Sequence, residues 1–145
     1  MKKSVLAIAF VSIVALIIAA ACSSKTASNV SIPTGKTIKS VAVANLTATL
    51  SNSTGQLKPG DQEVMLTFTD SSGKPVDVGA VSLNFHMDQM GTMTAMNDAV
   101  TFTTTGTPSV YRGRVNIEVA GEWRGQLAYE GPAGSGKTTF TVIAQ

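Results

Sequence analysis

Apolar and polar residues alternate in short runs along most of the chain, and no stretch sustains the period of an amphipathic helix. Leu46, Ala48 and Leu50 fall on one side of a first strand, with Thr47 and Thr49 on the other. Val64, Leu66 and Phe68 alternate with Glu63, Met65, Thr67 and Thr69 in a second; Val81, Leu83, Phe85 and Met87 alternate with Ser82, Asn84 and His86 in a third. A Thr-rich run from Ala99 to Thr105 surrounds Val100 and Phe102. Tyr111, Val115, Ile117 and Val119 then recur with period two, followed by Trp123, Leu127 and Tyr129, and finally by Phe140, Val142 and Ala144. Gly, Pro and Asp separate these runs, notably in Asn52 to Asp61, in Asp70-Ser71-Ser72-Gly73-Lys74-Pro75 and in Ala120-Gly121-Glu122. This punctuation predicts an all-β fold, an immunoglobulin-like antiparallel β-sandwich of about seven strands, with Trp123 packed between its sheets.

The 145-residue chain is long enough for one such domain, and its first part has a different composition. Lys2 and Lys3 precede an apolar run from Val5 to Ala21, and Ala19-Ala20-Ala21 leads directly to Cys22, the sole cysteine. This is the pattern of a secretory signal peptide over residues 1–21, and a cysteine directly after the small residues resembles the lipobox of bacterial lipoproteins, which implies lipid attachment at Cys22. Its thiol has no disulfide partner, and acyl chains attached there hold a protein to a membrane by burying methylene groups. Residues 22–40, small and polar with Pro33 and Gly35, read as a flexible tether, which leaves residues 41–145 for the domain. Of the eleven basic residues, Lys2 and Lys3 leave with the leader, and the remaining nine balance nine acidic ones. No basic surface is left to suggest a nucleic-acid partner.

The densest chemistry lies in His86 to Met96, His-Met-Asp-Gln-Met-Gly-Thr-Met-Thr-Ala-Met, which holds the only histidine and four of the six methionines. Thioethers are soft, neutral donors that suit cuprous copper, and a neutral imidazole also binds copper. His86, Met87, Met90, Met93 and Met96 are therefore the candidate metal ligands. The methionines recur every three residues, which a polyproline II or 3₁₀ conformation would line along one face. In a pleated strand, by contrast, His86 points outward and Met87 inward, so the two cannot share an ion unless the strand breaks between them. Asp88 and Asp98 bracket the stretch as exposed carboxylates. The competing reading makes the methionines flexible fillers over a core.

Gly131-Pro132-Ala133-Gly134-Ser135-Gly136-Lys137-Thr138 matches the phosphate-binding pattern GxxxxGK[ST]. That mechanism needs a helix after the loop, whose amides cradle phosphate, whereas Thr139-Phe140-Thr141-Val142 is β-branched and aromatic. The segment reads as a flexible hairpin connection and no nucleotide cofactor is expected. One histidine and one cysteine leave no triad for nucleophilic catalysis, so the chain is not expected to be an enzyme.

Three stretches of this sequence carry a resemblance. Thr69-Asp70-Ser71-Ser72-Gly73-Lys74-Pro75-Val76, Met87-Asp88-Gln89-Met90-Gly91-Thr92-Met93, and Tyr111-Arg112-Gly113 with Ala120-Gly121-Glu122-Trp123 together resemble the YtkA-like family of extracytoplasmic domains, related in pattern to FixH-type proteins. Asp88 stands where that family often has proline. The resemblance implies an immunoglobulin-like sandwich and a link to metal handling or respiratory enzymes, with a metal-transport or respiratory membrane complex as partner. The expected protein is thus exported and lipid-anchored on the periplasmic or cell-surface side of a membrane, binding cuprous copper through its Met-rich loop. The alternative is an interaction domain that docks a membrane complex through an apolar methionine patch, without metal.

Overall fold

A computed structural model describes residues 35–145; the expected signal peptide, Cys22 and most of the tether lie outside the described residues. The chain forms β1 (Lys36–Val43), β2 (Leu46–Asn52), β3 (Gly60–Thr69), β4 (Ala80–Met87), β5 (Met96–Ala99), β6 (Thr101–Thr104), β7 (Val110–Ile117), β8 (Gly121–Gly131) and β9 (Gly134–Ala144). One antiparallel sheet runs β1-β2-β3-β7-β6 and the other β5-β4-β8-β9. Their apolar faces meet in one core, in which Phe68 and Tyr129 pack edge to face across the sandwich with ring centroids 5.5 Å apart. Trp123 is fully buried there, and its indole N–H donates to the Val119 carbonyl at 3.1 Å.

The sandwich has nine strands among the described residues rather than about seven, and each difference has a physical cause. β1 lies within the expected tether at its start, because Lys36–Ser40 is an edge strand whose exposed side chains are polar. A two-residue turn at Ala44 and Asn45 pairs it with β2, Val43 opposite Leu46. The Thr-rich run after Asp98 is not one strand. It crosses from one sheet to the other at Val100, which is buried and donates its N–H to the Leu83 carbonyl at 2.9 Å, so that β5 and β6 are the two halves of a switching edge. The expected flexible connection at residues 131–138 is a tight hairpin: Gly131 pairs Gly134 around Pro132 and Ala133, and Lys137 lies within β9 opposite Ala128.

Asp70 organises the turn after β3 as its composition predicts, its carboxylate accepting from the Ser72 N–H at 2.9 Å and the Lys74 N–H at 3.0 Å. The end of that loop is tied to the core by Tyr111, whose hydroxyl donates to Asp77 at 3.0 Å. Burial first, and then the Asp77 carboxylate, push the Tyr111 phenol up to about 12. A phenol that resists ionisation in the folded chain contributes stability that is complete below its ordinary value of 10.0 and is lost as pH rises through about 12. An alkaline absorbance titration of wild type and Tyr111→Phe should therefore assign to Tyr111 a tyrosinate that forms only near the upper value. Ionisation of Tyr111 near its ordinary value would show that this contact is not kept in solution.

Candidate functional site

The Met-rich stretch is a hairpin. Phe85 pairs Asp98, His86 pairs Asn97 and Met87 pairs Met96 across β4 and β5, and the same register continues past two unpaired positions on each side to Met90 opposite Met93. Met90 and Met93 exchange both backbone bonds, N to O at 3.2 and 2.9 Å, around Gly91 and Thr92. Gly91 has φ 57°, the positive value that a two-residue hairpin favours at its first central position and that a side chain would resist. The three-residue spacing thus reflects symmetry about a turn, not one face of a polyproline II or 3₁₀ segment.

This symmetry sorts the candidate ligands into two groups. Met87 is 3% exposed and belongs to the core, with Met96 half-buried beside it. Gly121 on the neighbouring strand leaves room for Met87, since a Cβ there would come within 2.9 Å of the Met87 methyl. Met90 and Met93 are 54% and 40% exposed, and directly opposed residues of an antiparallel pair project to the same side with Cα atoms about 5.5 Å apart. Two thioethers are therefore presented together at the hairpin tip, and two are withdrawn beneath it.

His86 faces outward while Met87 faces the core, the parity that strand alternation predicts. Its Nδ1 is 2.8 Å from Asn97 Oδ1 and its Nε2 is 2.9 Å from Asp88 Oδ1. Asn97 Oδ1 also accepts from Asn84 Nδ2 at 3.3 Å. Asp88 uses its second oxygen to accept from Arg124 Nη2 at 2.8 Å, and Arg124 sits directly beside His86 on β8. Both ring nitrogens are engaged, so the imidazole becomes a metal ligand only when one of these bonds is broken. Four residues of extended chain, at about 3.3 Å each, also separate His86 from Met90.

Asp88 is more than a solvated carboxylate. The hydrogen bond from His86, followed by the Arg124 guanidinium, holds its carboxyl below the ordinary value of 3.8. A depressed value in the folded chain means that these contacts stabilise the domain above that pH and cease to do so as pH falls through the lowered value. In Asp88→Asn, the stability difference from wild type should be present at neutral pH and shrink in acid, as read from denaturant unfolding across the pH series. A difference that stays constant into strong acid would mean that the ionised carboxylate makes no such contact. Asp98 likewise has a partner, accepting from the Glu118 N–H at 3.3 Å. Asn97 and Arg124 are the residues that sequence reading did not connect with His86. The Asn97 pairing was open to a hairpin reading with Gly91 and Thr92 as its two turn residues, whereas Arg124 needed the knowledge that β4 lies beside β8.

A family model described as YtkA-like matches residues 40–128, more than half of the chain. The chain belongs to the YtkA-like family. No curated protein and no solved structure matches it. The YtkA-like span begins inside β1 and ends inside β8, so the whole methionine hairpin and the polar row of Asn97, His86 and Arg124 fall within it. β9, with Lys137, falls beyond it. Among the described residues, no three His, Cys, Asp or Glu side chains converge. Met90 and Met93 are the two soft donors that this YtkA-like domain presents together at an exposed position.

Proposed function

We propose that this YtkA-like domain is an exported, lipid-anchored binding protein that carries cuprous copper on Met90 and Met93 and passes it to a membrane-associated acceptor. The observation that carries this reading is the exposure of two opposed thioethers on a backbone-paired hairpin tip, away from the packing role that methionine usually fills. Their softness suits a cuprous ion and disfavours hard cations. Met87 and Met96 support the hairpin from below, and His86 joins the ion only on release from Asp88 or Asn97. Two thioethers form an open and modest site, which favours hand-over above storage. The leader and Cys22 support export and anchoring, because the pattern places the one thiol at the point of lipid attachment.

The test is an anaerobic cuprous titration of the purified protein against a competing chelator, with Cys22 replaced by serine so that its thiol does not contribute. One ion per chain is expected. Absence of binding would sink the copper reading and leave the docking reading, which the same two exposed methionines also favour.

A further inference from the structure

The five described methionines are graded by access to water: Met90 and Met93 are 54% and 40% exposed, Met96 is half-buried, and Met65 and Met87 are 9% and 3% exposed. We propose that Met90 and Met93 form a paired oxidation site for hydroperoxide-class oxidants, and that their conversion to sulfoxides switches off soft-metal binding at the hairpin tip. The second half rests on the copper reading above; the first does not. In each event, the thioether sulfur attacks the terminal peroxide oxygen. The O–O bond breaks and an S–O bond forms, so that sulfur gives up two electrons, the proton on the attacked oxygen passes to the departing oxygen, and the remainder of the peroxide leaves as water or an alcohol. The product carries a polar oxygen in place of a soft donor, and a cuprous ion loses its preferred partner.

Position makes this a switch and not a lesion. The tip is held by backbone bonds between Met90 and Met93 and by Gly91, none of which involves sulfur, and a sulfoxide there projects into water. The same change at Met87 would place an unpartnered polar group in the core against Gly121, at the cost that any buried unsatisfied dipole carries. Sulfoxides are also reducible, so exposure serves both the oxidant and the enzyme that restores the thioether.

The experiment treats the purified Cys22→Ser chain with limiting hydrogen peroxide, locates added oxygen by peptide mass spectrometry over time, removes the peroxide and repeats the anaerobic cuprous titration. Met90 and Met93 should gain oxygen several-fold faster than Met65 and Met87, with an unchanged far-ultraviolet circular dichroism spectrum and loss of cuprous binding. Equal rates at all four positions, or unfolding that accompanies oxidation of the pair, would overturn the oxidation site. Selective oxidation with copper binding retained would overturn the switch. Selective oxidation in a chain that never bound copper would leave the oxidation site standing and remove the copper reading instead.

Discussion

Met90→Leu/Met93→Leu is expected to bind cuprous copper at least about tenfold more weakly than wild type, a loss of about 1.4 kcal/mol or more, while folding as before. Leucine keeps the volume and apolarity of methionine but has no donor atom, so the substitution separates ligation from packing. Both positions are exposed and their backbone bonds are indifferent to the side chain, so stability should move by no more than about 0.5 kcal/mol for each change. A docking surface would respond differently. The leucine pair would preserve an apolar tip, and membrane-complex association would persist. Chelator competition under reducing conditions, with denaturant unfolding in parallel, reads both quantities. Undiminished copper binding in the stable double variant would remove the tip from the site. One methionine lost alone should have a smaller effect, because its opposite neighbour remains.

Trp123→Ala should cost about 3–5 kcal/mol, the range for deleting a large buried aromatic ring. Trp123 is 0% exposed, lies in the core between the sheets and satisfies its one polar atom on the Val119 carbonyl. Its removal leaves a void among side chains from both sheets, and the described residues contain no cysteine that could form a disulfide to hold the sheets together. Domains of this size have total stabilities of about 5–15 kcal/mol, so the variant should lose much of its margin, with a melting temperature lowered by roughly 12 °C or more. Circular dichroism followed through guanidinium and heat is the suitable probe, since the variant has lost the only tryptophan. A cost below about 1 kcal/mol would be incompatible with a packed Trp123. Copper binding at the tip should survive wherever the variant remains folded, which separates core from site.

Alternation of side chains is a local property of the pleated backbone, and the sequence by itself therefore determined which face of each strand is buried. Leu46, Ala48 and Leu50, or Leu83, Phe85 and Met87, could be assigned inward from spacing alone, and so could the outward turn of His86 beside the inward Met87. The Asp70 turn and the core place of Trp123 were legible for the same reason: a capping carboxylate and a large indole carry their preference with them. The edge strand β1 was not legible, because it exposes lysine and threonine as a loop does, and the crossing at Val100 is visible only once both sheets exist. The methionine spacing was ambiguous between a line and a symmetric hairpin until the Gly91 turn folded it, placing Met90 against Met93 and hiding Met87 with Met96. The Arg124 side of the polar clamp around His86 was decided by tertiary structure alone: Arg124 becomes its neighbour only because β8 packs beside β4, and strand order depends on long-range burial that leaves no mark in either strand's own residues.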